Sequence, residues 1–390
     1  MESNNKTSNI DYTLIFIIIL LGIISVFSIY TIQDFLILPN YYIKQIVWYI
    51  AGAITIGVIM LVDYDRLRQV SWLFYGIGMT MLIMLHFHFP PGIAKEVNNA
   101  WGWFEFPVLG TLQPAEFMKV FLIIALAHLI VMHNDKFKDH TNKSDYWLLA
   151  KILVVALPPM GLIALQPDLG GFLVLGAITV CMILVSGVRW RIIFSLVGLA
   201  IISLMSIVML YVYFPEAVDT FIEDNEFGHV ESRFTSWVDT ESYSQGGGYQ
   251  LIRAMLAIGS GQLSGKGIGE FQVSNIPERH TDMIFTSIAE QFGFIGSSIL
   301  ITLFFLLIYR LIHISLQSND PFGSYIVTGI IGMFTYQIFQ NIGMSIKLLP
   351  ITGLPLPFIS YGGSSTLTYM IAIGIVLNIH YRTKVYMFDT

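Results

Sequence analysis

The chain has 390 residues, of which 55% are hydrophobic, 14% aromatic and only 12% charged, with a formal net charge of −6. Soluble domains carry about 25% charged residues, so the composition excludes a soluble enzyme, and it fits neither a disordered chain nor a nucleic-acid binder. The single cysteine, Cys181, excludes a disulfide framework and a cysteine-rich metal site.

What remains is a polytopic membrane protein. A helix needs about 20 mostly apolar residues to cross a bilayer. Ten such stretches follow one another at 14–33, 43–62, 70–89, 113–133, 147–165, 169–187, 192–213, 284–309, 323–343 and 364–381. Lipid leaves backbone groups no partners outside the segment, so each is expected to be a helix, and the expected fold class is an all-α bundle of ten transmembrane helices. The first stretch lacks an Ala-x-Ala-like site and leads directly into the second, as a retained span does.

Basic residues orient the bundle. With the N-terminus inside, 12 of the 20 lysines and arginines fall on the cytoplasmic side and 7 outside, with Lys119 within a span. The chain therefore reads as one integral membrane domain over 1–390 with cytoplasmic tails at 1–13 and 382–390. The connection 214–283 is a large extracellular loop. Residues 215–281 hold ten acids and four bases, as much net charge as the whole chain. Its first third is acidic and solvated, whereas 249–261 is apolar and helix-like.

Ionisable groups at membrane depth are costly and usually mark function. Glu116 and Lys119 share one face of the fourth span, either as a self-neutralising pair or with Lys119 turned to a cavity that receives an anion. Gln166-Pro167-Asp168-Leu169-Gly170-Gly171 breaks the chain between two spans, and Asp168 there serves as a helix cap or lines a cavity. Pro158-Pro159 is expected to kink the fifth span. Thr281 or Asp282 stands where the eighth span begins, as a cap or as a catalytic group, with Glu290 two turns deeper. Residues 350–365 are apolar yet rich in proline and glycine, which predicts a packed non-helical outer segment, with Ser364-Ser365 capping the tenth helix. The run Gly259-Ser260-Gly261-Gln262-Leu263-Ser264-Gly265-Lys266-Gly267 lacks the spacing of a P-loop, and His86 and His88 are too few for a zinc site.

These residues resemble the shape, elongation, division and sporulation family, the RodA/FtsW proteins. The likeness covers about 14–381 and rests on Gln113-Pro114-Ala115-Glu116-Phe117-Met118-Lys119, Gln166-Pro167-Asp168-Leu169-Gly170, Ala257-Ile258-Gly259-Ser260-Gly261 with Gly265-Lys266-Gly267, the stretch from Pro277-Glu278 through Thr281-Asp282 to Glu290, and 350–365. Asn341-Ile342-Gly343-Met344 and the short tail look more like the RodA branch. The resemblance implies a peptidoglycan glycosyltransferase that polymerises lipid II outside the bacterial cytoplasmic membrane beside a class B penicillin-binding protein. It implies Asp282 as the catalytic base, with Glu116, Lys119 and Asp168 needed inside the bundle. Lys119, Lys44 or a divalent cation (magnesium or manganese) is expected to stabilise the leaving diphosphate, and Ser364 to line the substrate cavity. Three departures stand out: Gly102-Trp103 where Arg-Trp is common, Ala115 for the usual serine, and Lys44-Gln45 for Arg-Gln. Lys95 or Lys44 is then the substitute cation, without arginine's bidentate fork.

Two other functions suit the same composition. A precursor flippase would place its key carboxylate near the bilayer midplane, whereas Asp282 lies in the outer loop. A non-catalytic scaffold would leave Glu116, Lys119 and Asp168 without a purpose.

Overall fold

The structure is a computed structural model that describes residues 10–36, 40–97, 100–106, 110–139, 141–213, 228–240, 242 and 247–386. Most of the acidic stretch 215–231 and the ends of both tails lie outside the described residues.

All ten expected spans fall on helices. These are α1 (Tyr12–Thr31), α2 (Tyr41–Leu61), α3 (Asp65–His86), α4 (Pro114–Lys136), α5 (Asn142–Ala164), α6 (Leu169–Val185) and α7 (Trp190–Tyr213). After two loop helices, α8 (Gly228–Val238) and α9 (Gly247–Gly261), come α10 (Ile284–Gln317), α11 (Pro321–Ser345) and α12 (Gly363–Tyr386). Eight are long and apolar enough to cross a membrane; α6, at 17 residues, and α7 are the two outside that set. Side-chain caps set several boundaries. Asp11 accepts from Leu14 N, Thr141 from Ser144 N, and Asp320 from Phe322 N and Gly323 N.

Three details differ from the sequence expectation. Between α3 and α4 the chain forms a three-stranded antiparallel sheet, β1 (Ala94–Val97), β2 (Ala100–Phe106) and β3 (Gly110–Leu112), so the fold is mostly but not wholly helical. The reason is alternation. Phe104 turns inward onto Leu85 and Ala94, and Trp101, Phe106 and Leu112 pack around them. Lys95, the expected substitute cation, is ion-paired with Glu105 across this sheet. The helix α5 passes through Pro158 and Pro159 as one element. Finally, α10 runs to Gln317, eight residues past the expected end, and Arg310 in this extension pairs with Asp11 at 2.7 Å.

The helix α10 is not continuous in backbone conformation. Gly293 has φ 61° and ψ −157°, a region open essentially to glycine alone. The loop that follows α9 docks on this break. Lys266 N donates to Glu290 O at 3.0 Å and Gly267 N to Gln291 O at 3.1 Å. In return Phe294 N and Ile295 N donate to Gln262 O and Leu263 O, at 2.9 and 3.1 Å. A Cβ on Gly265 would lie 2.0 Å from Gln291 O, and one on Gly261 would lie 2.1 Å from Ala289 O. The glycine run is therefore a backbone-to-backbone joint. It has no phosphate-binding geometry to account for.

The most buried spans are α4 and α12. Within α4, Lys119 Nζ donates to Glu116 Oε1 at 2.6 Å, and Lys119 is 1% exposed. Glu116 Oε2 has no partner.

Both features are open to test by thermal unfolding of the purified protein. Gly293→Ala should cost about 1–3 kcal/mol in backbone strain alone, with further loss from the clash at 2.4 Å with Gly265 N. Gly259→Ala, which meets nothing within 4 Å, is the neutral control. Lys119→Met strands a buried carboxylate, a change that costs about 3–5 kcal/mol in soluble proteins. The double variant Glu116→Gln, Lys119→Met should recover most of that loss; a double variant as unstable as the single would show that the pair is not what the two residues contribute.

Candidate active site

Helices α2, α4, α6, α10 and α12 begin at one end of the bundle, and Lys44, Glu116, Lys119, Asp168, Asp282 and Ser364 lie at or near those starts. Joining them is the non-helical segment 350–362. Apolar side chains bury it: Leu354, Leu356, Phe358 and Ile359 are all in the core. Its carbonyls are then cut off from water and need protein donors. Gln340 Nε2 reaches Pro350 O at 2.9 Å, Asn341 Nδ2 reaches Leu354 O at 2.7 Å, and Ser25 Oγ reaches Ile359 O at 2.7 Å. Tyr49 Oη donates to Phe358 O, and Gln45 Nε2 to Ser360 O at 3.3 Å.

The segment carrying Asp282 is held against this scaffold. Ser360 Oγ donates to Thr281 O at 2.5 Å, Tyr361 N to His280 O at 2.9 Å, and Asn341 Nδ2 to Asp282 O at 2.7 Å. From the other side, Glu290 Oε1 accepts from Gln272 N and Val273 N at 2.7 and 2.9 Å. Its Oε2 pairs with Arg279 at 3.1 Å, and Arg279 lies over the rings of Phe35 and Phe271. So Glu290, two turns into α10, positions the chain just before Asp282.

Asp282 itself is 6% exposed, and its Oδ1 has no hydrogen-bond partner. Burial, aided by the negative charge of Glu278, pushes its carboxyl up to about 7; hydrogen bonding from Gln250 and the charge of Arg233 oppose the rise. The capping role is corrected here. The N-cap of α10 is Met283 and carries no side-chain cap bond. Asp282 stands one residue too early to reach the first free N–H groups of the helix, so burial governs its charge.

The remaining expected residues are placed as follows. Asp168 caps α6, its Oδ1 accepting from Gly171 N at 2.7 Å. Ser364 lies inside the first turn of α12 and is no cap: its Oγ accepts from Gln113 N at 3.0 Å and meets Thr111 O at 3.2 Å, tying α12 to the start of α4. Lys119, expected to meet an anion, is buried and already neutralised by Glu116. Lys44 is exposed at the start of α2, 5.6 Å from the Tyr41 ring centroid. Tyr41 packs in turn on His280 and Tyr361, with centroids 4.9 and 4.6 Å away. For a divalent cation the fit is poor, because among the described residues no three His, Cys, Asp or Glu side chains gather as donors.

Three residues near Asp282 were not expected from sequence: Asn341 as a backbone clamp, Gln250 on α9, and Arg233 on α8. Gln250 Nε2 also reaches Pro277 O at 3.4 Å. Arg233 Nη1 donates to Thr352 O at 3.1 Å, and the two carboxylates that act on its charge are Asp168 and Asp282. The only signal was that Arg233 is one of four bases in an acidic loop.

The chain matches the family model described as cell cycle protein, FtsW/RodA/SpoVE, over residues 9–385. It is 31% identical to a probable peptidoglycan glycosyltransferase FtsW of Trichlorobacter lovleyi, covering 96% of this chain and 94% of that protein. It is 32% identical to the stage V sporulation protein E of Bacillus subtilis, covering 96% and 98%. Among solved structures, a chain of a peptidoglycan synthase complex coordinating polymerization and crosslinking superposes with a TM-score of 0.77 at 26% identity, over 96% of this chain and 98% of that one. The rod shape determining protein RodA of Thermus thermophilus follows at 0.66 and 27%, over 95% and 96%. Division, sporulation and rod-shape proteins are matched alike, so these likenesses define the family and not the RodA branch within it. With its fold and its full-length match in view, the chain belongs to the FtsW/RodA/SpoVE family of cell cycle proteins.

Proposed function

We propose that this protein is an inverting peptidoglycan glycosyltransferase that polymerises lipid II at the outer face of the bacterial cytoplasmic membrane. Asp282 is its general base. The observation that carries the reading is the carboxyl of Asp282: buried, with one oxygen unpaired, at the end of the bundle where the long loop lies, and pushed up to about 7. A base is most effective when its pKa lies near the working pH. In the proposed step Asp282 takes the proton from the acceptor's 4-hydroxyl as that oxygen attacks the donor's anomeric carbon. The bond from that carbon to the diphosphate breaks, and its electron pair leaves with the diphosphate. An α-linked donor giving a β-linked product inverts at this carbon, so a single displacement suffices and no covalent sugar–enzyme intermediate forms.

The names of the relatives support the glycan-polymerising role, and the synthase complex among the similar structures supports a crosslinking partner. We take that partner to be a class B penicillin-binding protein. The flippase reading is less well supported, because the Asp282 carboxylate is at an end of the bundle and the buried Glu116–Lys119 pair is closed on itself. Both termini are taken as cytoplasmic, which puts 214–283 outside.

Two measurements test this. Asn keeps the shape of Asp282 but is not a base. Asp282→Asn should keep the protein folded and lower lipid II polymerisation by about 10²–10⁴-fold; near wild-type polymerisation sinks the assignment. In the unaltered protein kcat/KM should rise about tenfold per pH unit below 7 and level off above it, since only the ionised carboxylate accepts a proton. Glu278→Gln removes the like charge and should move that midpoint to lower pH. Orientation is tested with Asp239→Cys in a Cys181→Ser background. The exposed position 239 should react with an impermeant thiol reagent on intact spheroplasts. Labelling only after permeabilisation reverses the topology.

A further inference from the structure

Of the cations the sequence expected for the anionic half of the reaction, two are engaged elsewhere and Lys44 is exposed at the start of α2. Lys119 is buried and bonded to Glu116, and Lys95 is paired with Glu105. Arg233 occupies a different position. It sits on α8, in the outer loop, is only half-buried, and reaches into the 350–362 segment through Thr352 O at 3.1 Å. That carbonyl in turn lies against the start of α6, where a Cβ on Gly170 would be 2.8 Å from it, two residues after Asp168. Two residues along, the Leu354 carbonyl shares the Asn341 amide with Asp282 O. One short strip of chain thus sets Arg233, Asp168 and Asp282 around a common point.

We propose that Arg233 is the diphosphate-binding residue of the active site, engaging the lipid-linked leaving group and neutralising the charge it gains as the anomeric bond breaks. The inference rests on the glycosyltransferase reading above and adds a residue to it. The chemistry favours arginine: a planar guanidinium binds two phosphate oxygens at once, and it stays charged when half-buried. A diphosphate brought near two carboxylates is repelled unless a cation stands between, and Arg233 is the group whose charge both of them feel. Its place on a loop helix lets it meet the headgroup end of a lipid whose chain stays in the bilayer.

The test uses the full chain in nanodiscs, with farnesyl diphosphate and farnesol as probes. Both carry the same short prenyl chain, and neither has a sugar to transfer. The unaltered protein should bind the diphosphate at least tenfold more tightly than the alcohol. Arg233→Gln should erase that preference while leaving farnesol binding and thermal stability near wild type. Arg233→Lys should keep part of it, because lysine offers charge without the fork. A diphosphate preference that survives in Arg233→Gln, or that is missing from the unaltered protein, overturns the proposal. If the glutamine variant fails to fold, the lysine variant decides, and affinity equal to wild type rejects the bidentate role. Asp282→Asn should retain the preference, so a failure of the polymerase reading would appear in lipid II turnover and leave this titration unchanged.

Discussion

The arrangement of this end of the bundle depends on one constraint: a non-helical stretch of chain, 350–362, lies buried among apolar side chains, and its carbonyls must be satisfied without water. Proline and glycine keep the stretch from becoming a helix, so no internal ladder supplies donors. The neighbours do instead. Gln340, Asn341, Ser25, Gln45, Tyr49 and Arg233 each send a side-chain donor to one of its carbonyls. Polar side chains in membrane helices are costly unless paired. Here their cost is offset by the backbone groups they satisfy, and the outcome is a rigid strut that touches α1, α2, α8, α11 and the Asp282 segment together.

The strut explains how Asp282 is kept still on a loop. Residues 277–282 have no regular structure, yet three of their carbonyls are held, at His280 by Tyr361 N, at Thr281 by Ser360 and at Asp282 by Asn341. A second fixture acts from below. Glu290 receives two backbone N–H groups and the Arg279 guanidinium, and the glycine joint at Gly261, Gly265 and Gly293 lets the preceding loop lie directly on α10. Lattices of this kind transmit small displacements, because neither side has side-chain freedom to absorb them. A substitution at Gly293 or Glu290 would therefore shift Asp282 without touching it.

Much of this was legible in the residues. Runs of apolar amino acids located the long helices, eight of which are long and apolar enough to cross a membrane, since length and hydropathy report directly on bilayer thickness. The breaks at Pro167 and 350–362 were readable because proline and glycine act locally. What sequence could not show was which partner each polar group would take. Asp282 precedes a helix, and local logic makes it a cap; burial by elements 30 to 60 residues away decided otherwise. The strands at 94–112 were hidden because their alternation is short and shared between aromatic and small residues. Arg233 was the least visible, since its meaning lies wholly in long-range neighbours, with Thr352 distant by 119 positions.

The two ways of placing a carboxylate at a helix start have opposite consequences. An aspartate that bonds to the free N–H groups of a helix start is favoured as an anion. It accepts protons poorly because its charge is already satisfied. An aspartate one step outside the helix, cut off from water and with one oxygen unpartnered, holds its charge at a cost and so accepts a proton readily. Asp282 is of the second kind. At neutral pH a carboxyl with a pKa near 7 is divided about equally between its two forms, which is the compromise between having a base present and having one strong enough to act. Glu278 adds to this effect through its charge alone. Under the proposed function, a bound diphosphate would do the same and raise the affinity of Asp282 for a proton.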